Sequence, residues 1–347
     1  MKKTAVVLFN LGGPDTPKAV RPFLFNLFND AAIIRVPQPL RFLIAALISR
    51  RRAPIARAIY AQMGGGSPIL PNTAAQARNL DSMLNADPHH IYKSFIAMRY
   101  WHPFADETAR QVKDFAPDEI ILLPLYPQFS TTTTASSFKD WARAAQKNGL
   151  DSISAKTVCC YPREGGFIRA LAATTRTAYV KAAQHGTPRI LFSAHGLPEK
   201  IVAAGDPYPA QCAMTVAALR AELGIDNLDS VLCYQSRVGP LAWIKPATDD
   251  EVRRAGAEAR PLVIVPIAFV SDHSETLVEI NIEYRHLAKE SGVPAFFFVP
   301  AVGSSPDFIA GLVQLVRQAE AEKTACLSGE RARLCSPRTE CCPCVGG

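Results

Sequence analysis

The sequence predicts an α/β protein of two similar, doubly wound domains with parallel sheets and an active-site cleft between them. Three observations carry this. Short apolar runs alternate with helix-length segments, and the runs are apolar throughout, as strands covered on both faces require. Each run stops at a turn rich in Gly, Pro or His. The halves also share wording: Leu8-Phe9-Asn10 parallels Leu191-Phe192-Ser193, and Leu122-Leu123-Pro124-Leu125 parallels Ile264-Val265-Pro266-Ile267, a weak internal repeat. A length of 347 residues suits roughly two domains.

The first strand spans residues 6–9 and runs into Gly12-Gly13-Pro14. Residues 39–62 read as largely helical, broken near Pro54 and ended by Gly64-Gly65-Gly66. A helix from Asn72 or Thr73 to residue 84 follows, led by a polar cap. Residues 95–98 form a strand ending in Arg99-Tyr100-Trp101-His102-Pro103, and residues 119–123 another, ending in Pro124 and Tyr126-Pro127-Gln128-Phe129-Ser130. In the second half, residues 190–193 lead into Ala194-His195-Gly196-Leu197-Pro198, and residues 231–234 into Gln235-Ser236-Arg237-Val238-Gly239-Pro240. Residues 262–265 lead into Pro266 and on to His273. The expected division is 1–155, 156–324 and a cysteine-rich tail, 325–347.

A content of 48% hydrophobic and 20% charged residues excludes a disordered, collagen-like or coiled-coil chain. The net charge of +7 is concentrated. Arg35, Arg41, Arg50, Arg51, Arg52 and Arg57 fall within residues 31–60, which hold no Asp or Glu. Leu40, Phe42, Leu43, Ile44, Leu47 and Ile48 are interleaved with them. That mixture fits a membrane-surface or anionic-ligand lip better than a nucleic-acid arm. The bland alternative is a solvated face. The apolar run after Lys2-Lys3 is too short for a secretory signal, and no run reaches the roughly 18 apolar residues of a membrane span. A reducing cytoplasm is therefore expected, where clustered cysteines bind metal more often than they pair.

In open parallel sheets ligands lie beyond the carboxyl ends of the strands. Arg99, Tyr100, His102, His195, Arg237, Trp243, Asp272, His273 and Glu275 stand there and should converge on one cleft. Glu275, Glu279 and Glu283 recur every four residues, a carboxylate ridge that repels itself unless cations or protons travel along it. Neither glycine cluster has the GxGxxG spacing, and GxxxxGK[ST], HExxH and GxSxG do not occur. Nucleotide cofactors, phosphoryl transfer, zinc proteolysis and elbow-type hydrolysis lose support.

Together these residues resemble the ferrochelatase family over about residues 4–315. The likeness rests on Asn10-Leu11-Gly12-Gly13-Pro14, Gly64-Gly65-Gly66-Ser67-Pro68, the turns at Arg99, Tyr126, His195 and Tyr234 quoted above, and Ser271-Asp272-His273-Ser274-Glu275-Thr276-Leu277. It implies two Rossmann-like domains of chelatase type and insertion of Fe²⁺, as substrate, into protoporphyrin IX to form protohaem. Coproporphyrin is the alternative substrate, and a non-catalytic haem carrier the alternative class. The resemblance makes His195 and Glu275 catalytic, with His195, Glu275, Asp272, His273 and Glu279 around the metal. It turns Leu11, Tyr60, Ser67, Arg99, Tyr100, Trp243 and Phe269 toward the porphyrin. The lip at residues 22–60 would meet the membrane peripherally. A homodimer is left open, and nucleic acid is not a partner.

Nine cysteines are present, with Cys326, Cys335, Cys341, Cys342 and Cys344 in the tail. The run Cys335-x6-Cys342-x-Cys344 resembles the bacterial form of a [2Fe–2S] site found in some ferrochelatases. The family's animal members take an internal ligand just after the Tyr-Pro-Gln motif. Thr131 stands there in this chain, so Cys160, or Cys159, is the expected fourth ligand, with Cys341 an alternative in the tail. Thiolates serve zinc equally well, and a cluster-free tail is the other rival.

Overall fold

The computed structural model describes residues 1–86, 89–237, 239, 241–330, 333–335 and 341–344. Val238 and Pro240 of the Tyr234 motif, and the rest of the tail, lie outside the described residues. The strands are β1 (Lys2–Asn10), β2 (His90–Met98), β3 (Glu119–Pro124), β4 (Ser154–Val158), β5 (Arg189–His195), β6 (Ser230–Gln235), β7 (Leu262–Pro266), β8 (Phe296–Phe298) and β9 (Cys326–Leu327). They form two sheets, ordered β2-β1-β3-β4-β9 and β6-β5-β7-β8, with every pairing parallel. The two-domain α/β class read from the sequence is the observed one.

Burial explains which strands sit centrally. In β3 and β7 every residue is buried, and in β1 everything from Thr4 onward. Those are the continuous Val, Ile and Leu runs that a strand with both faces covered needs. One apolar core joins the sheets: Val6, Leu8, Ile121 and Leu123 from the first pack with Ile190, Phe192, Val263 and Val265 from the second. The helices Ile69–Leu84, Gly165–Ala182, Tyr208–Leu223 and Pro306–Ala321 fill the layer between. Separate clusters cover the outer faces.

Two expectations about helices are corrected. The helix Gln38–Ala61 continues through Pro54 without a break. Pro54 and Arg50 are both exposed, so water can take the Arg50 carbonyl that proline leaves without a donor. The next helix starts at Ile69 rather than at Asn72 or Thr73. Pro71 then falls in the first turn, where a missing N–H costs nothing. The Gln38–Ala61 helix buries its small residues Ala45, Ser49 and Ala53 and leaves Leu40, Phe42, Leu43, Leu47 and Ile55 exposed. Among the described residues no helix is long and apolar enough to cross a membrane.

Two buried amides, Gln76 and Gln128, and the half-buried Asn72 pin the segment between β7 and His273 to neighbouring elements. Gln76 Nε2 donates to the carbonyls of Val270 and Gly303, both at 2.9 Å, and Gln76 Oε1 accepts from Ser271 Oγ at 3.1 Å. Gln128 Nε2 donates to the Ile267 carbonyl at 3.0 Å, and Asn72 Nδ2 to that of Asp272 at 3.2 Å.

Candidate active site

In the second sheet β5 pairs with β6 on one side and β7 on the other, so the strand order reverses between β5 and β7. A crevice opens at such a point, beyond the carboxyl ends of the strands. His195 ends β5, and the segment after β7 carries Phe269, Asp272 and His273 into a π-helix, Glu275–Tyr284. A π turn takes one residue more than an α turn and often marks a functional site. It also revises the expected ridge: Glu275 and Glu279 face inward, half-buried, while Glu283 is exposed.

His195 Nδ1 lies 2.9 Å from Glu275 Oε2, and His273 Nε2 lies 4.0 Å from Glu275 Oε1. Burial pushes the Glu275 carboxyl up, but the His195 imidazole and then His273 outweigh it and hold the group at about 2. Burial works to lower His195, yet Glu275 and Glu279 leave it raised above its ordinary value. His273 donates from Nδ1 to the Ser271 carbonyl at 3.1 Å, which fixes the ring with Nε2 toward Glu275.

Glu279 is held differently. Its carboxylate accepts from Ser236 N at 2.8 Å, Ser236 Oγ at 2.6 Å, Tyr284 OH at 3.1 Å and Gln235 Nε2 at 3.2 Å. Burial, followed by the neighbouring Glu275 charge, still raises its pKa. Two adjacent carboxylates are thus driven apart, one kept charged and one kept ready to take a proton. Sequence reasoning did not assign Gln235, Ser236 or Tyr284 a role. A non-glycine residue at φ 64° directly after β6 marks Ser236 in the backbone.

The other expected residues fall into distinct groups. Tyr60 is buried at the end of its helix, shares a hydrogen bond with Ser274 and has its hydroxyl pushed up to about 12, mainly by burial. Leu11 packs in the same cluster as Tyr60 and Tyr100. Phe269 packs its ring 4.8 Å from the His273 ring. Trp243 bridges Pro198, and a Cβ on Gly196 would lie 3.3 Å from its indole. Ser67 lies where two glycine turns meet, since a Cβ on Gly13 would come within 2.6 Å of it and one on Gly66 within 2.5 Å of the Asp15 carbonyl. Asp272 Oδ1 accepts from Ala301 N at 3.1 Å. Arg99 and Tyr100 belong to a knot centred on Asp30: Arg99 NH2 at 2.9 Å and Tyr100 OH at 2.8 Å share its Oδ2. Arg99 Nε also donates to Ser136 Oγ at 2.7 Å.

The cysteines converge on a second place, a nest closed by Phe129. Cys159 and Cys160 follow β4, and β9 pairs on β4 to bring Cys326 alongside. The Cys159, Cys326 and Cys344 sulfurs lie within 4.8 Å of one another. Cys326 to Cys344 is 2.6 Å, Cys344 to Cys159 is 3.4 Å and Cys159 to Cys160 is 3.5 Å. Cys335 joins through a hydrogen bond with Cys342, which also bonds Cys344. Hydrogen bonds from Cys159 and then Cys326 hold the Cys344 thiol at about 4. The expected set Cys160, Cys335, Cys342 and Cys344 is therefore together, joined by Cys159 and by Cys326, which the sequence reading left out. Cys341 donates to the Gly205 carbonyl at 3.3 Å.

Comparison with known proteins is consistent in direction. The family model described as ferrochelatase matches residues 3–320. A ferrochelatase of Caulobacter vibrioides is 54% identical over 347 residues, covering 100% of this chain and 99% of that protein. One from Phenylobacterium zucineum is 58% identical over 313 residues, 90% of each. One from Pelagibacter ubique is 45% identical over 350 residues, covering 99% of both. Among solved structures, Bacillus subtilis SirB with Fe³⁺ superposes with TM-score 0.53 at 12% identity, covering 92% of this chain and 96% of that one, a likeness of fold alone.

Proposed function

The chain belongs to the ferrochelatase family, and on that premise we propose that its cleft inserts Fe²⁺ into protoporphyrin IX to give protohaem, as a metal-inserting lyase. The observation that carries the reading is the His195–Glu275 pair at 2.9 Å with Glu279 beside it on the π-helix. Two pyrrole N–H protons must leave as the metal goes in. An imidazole can take one, provided it is first neutral. A dication arriving at the Glu275 carboxylate would repel the proton on His195 and free the base when it is needed. Carboxylate oxygens suit a ferrous ion in transit, holding it without the grip of thiolate. Glu279, raised and bonded to Ser236 and Tyr284, is suited to accept what His195 passes on. Phe269, Trp243 and Leu11 supply apolar walls against which a flat macrocycle can be bent. The resemblance puts Ser67, Tyr60, Arg99 and Tyr100 on the propionate side, where Arg99 and Tyr100 would have to release Asp30 to reach a ligand, with Asp272 and His273 completing the polar conduit.

Anaerobic Fe²⁺ with each porphyrin, followed by absorption, tests the proposal. Wild type should form protohaem from protoporphyrin IX and insert iron into coproporphyrin more slowly or not at all, and His195→Ala should form neither product. A wild type that binds haem but makes none would be the carrier instead.

The sulfur nest fits a [2Fe–2S] cluster. Its donors are soft and largely buried, and the expected four, Cys160, Cys335, Cys342 and Cys344, are all within it. When bound, such a cluster supplies one-electron redox chemistry and ties the tail to β4. A red-brown protein with stoichiometric inorganic sulfide is expected; a colourless one with zinc points to Cys159, Cys326 and Cys344 as a mononuclear site. The exposed Leu40, Phe42, Leu43, Leu47 and Ile55, beside Arg50, Arg51 and Arg52, suit peripheral contact of a cytoplasmic enzyme with an anionic leaflet. Liposome flotation at physiological salt tests that contact, and sedimentation reads out the homodimer. The division at 1–155, 156–324 and 325–347 belongs to the same reading, with β4 straddling the first boundary and β9 returning the tail to the first sheet.

A further inference from the structure

Gln211 is buried in the first turns of the helix Tyr208–Leu223. Its Oε1 accepts from Phe129 N at 2.8 Å, which fixes the orientation of the amide. Nε2 then has two N–H groups to place, and the acceptors it finds are Cys160 Sγ and Cys335 Sγ, each at 3.4 Å. A neutral thiol is a weak acceptor, so two buried donors aimed at thiols would be poorly satisfied. A thiolate, or a thiolate bound to metal, is a strong one. The other member of the adjacent pair, Cys159, has sulfurs as its partners: Cys160, Cys326 and Cys344. The amide thus discriminates between neighbours that sequence spacing leaves equivalent.

We propose that Gln211 is a positioning residue of the tail's metal centre, donating one N–H to each of Cys160 and Cys335 as metal-bound thiolates and thereby selecting Cys160 over Cys159. The inference rests on the reading that the nest holds a thiolate-bound centre. Hydrogen bonds to ligand sulfur favour the more negative, reduced state of an iron–sulfur centre, so losing them lowers the reduction potential. Through Phe129 the same amide ties the centre to the loop after β3, whose Gln128 donates to the Ile267 carbonyl.

The test uses the full-length protein as purified. Iron, zinc and inorganic sulfide are measured in wild type, Gln211→Leu, Gln211→Glu, Cys159→Ser and Cys160→Ser, with visible spectra and dye-mediated redox titration. Gln211→Glu keeps an acceptor for the Phe129 N–H, so it guards against mere misfolding. Expected are a more negative midpoint potential in both Gln211 variants, loss of sulfide in Cys160→Ser and its retention in Cys159→Ser. Unchanged potentials, or the reverse cysteine pattern, overturn the inference while leaving the cluster reading intact. If wild type carries zinc without sulfide, the cluster reading fails, and the inference is read by chelator competition. Loss of zinc about 10-fold faster or more from both Gln211 variants supports it, and equal rates sink it. A wild type with neither metal centre overturns both.

Discussion

His195 Nδ1 and Glu275 Oε2 are 2.9 Å apart, and the pair shifts each partner toward its charged form. The consequence for stability has a defined pH window. Glu275, held at about 2 against an ordinary 4.5, contributes fully above 4.5 and loses its share as pH falls toward 2. His195, raised above 6.5, contributes fully below 6.5 and loses its share as pH rises through the raised value. The pair should therefore stabilise the fold most between roughly pH 4.5 and 6.5. The melting-temperature difference between wild type and Glu275→Gln should peak there and shrink on both sides. A difference that is flat from pH 4 to 9 would refute the coupling.

Activity should follow the opposite limb. His195 works as a base only after losing its proton, so kcat/KM should rise with pH around a midpoint above 6.5. Glu275→Gln removes the charge that raises His195 and should move that midpoint down while cutting the rate. His195→Ala should cost on the order of 100-fold or more. An acid limb that stays in place in Glu275→Gln would assign the titration to another group.

Ser236 holds Glu279 with both its N–H and its hydroxyl, from a left-handed backbone at φ 64°. Ser236→Ala and Ser236→Gly both delete the hydroxyl donor, which should raise Glu279 further, because that bond favours the carboxylate. Glycine adopts this backbone without strain, so Ser236→Gly should be about 1 kcal/mol more stable than Ser236→Ala. Denaturant titration of the two, with their pH–rate profiles, separates strain from hydrogen bonding. Profiles indistinguishable from wild type in both would remove Ser236 from the site.

What could be read beforehand follows from what local sequence encodes. The strands β1, β3, β5 and β7 announce themselves, because central parallel strands are apolar on both faces. By contrast β4, Ser-Ala-Lys-Thr-Val, has only its last residue buried, and β9 is two residues long, so neither carries a pattern. His195, His273 and Glu275 were visible because they follow strand ends. The four donors around Glu279 were not: Tyr284 sits in a π turn that shifts the register implied by an α-helix, and Gln235 and Ser236 reach Glu279 from the end of β6, a contact between segments more than forty residues apart. Cys326 was missed for a longer-range reason. Its place beside Cys159 is set by β9 pairing on β4, a contact between segments far apart in the chain.

The last prediction concerns how the cleft is kept in register. Gln76 is fully buried and bonds the carbonyls of Val270 and Gly303 and the Ser271 hydroxyl. Gln76→Leu fills the same space but leaves those partners unsatisfied, a loss of about 3 kcal/mol. The segment it releases carries Phe269 and His273, so kcat should fall more than stability alone explains, with KM changing little. Leu80→Ala, in the same helix and equally buried, removes core packing for a comparable loss of about 3 kcal/mol without touching that segment. Measured well below both melting transitions, Gln76→Leu should be slow and Leu80→Ala close to wild type. Equal rates in the two would show that Gln76 supports the fold and not the position of His273.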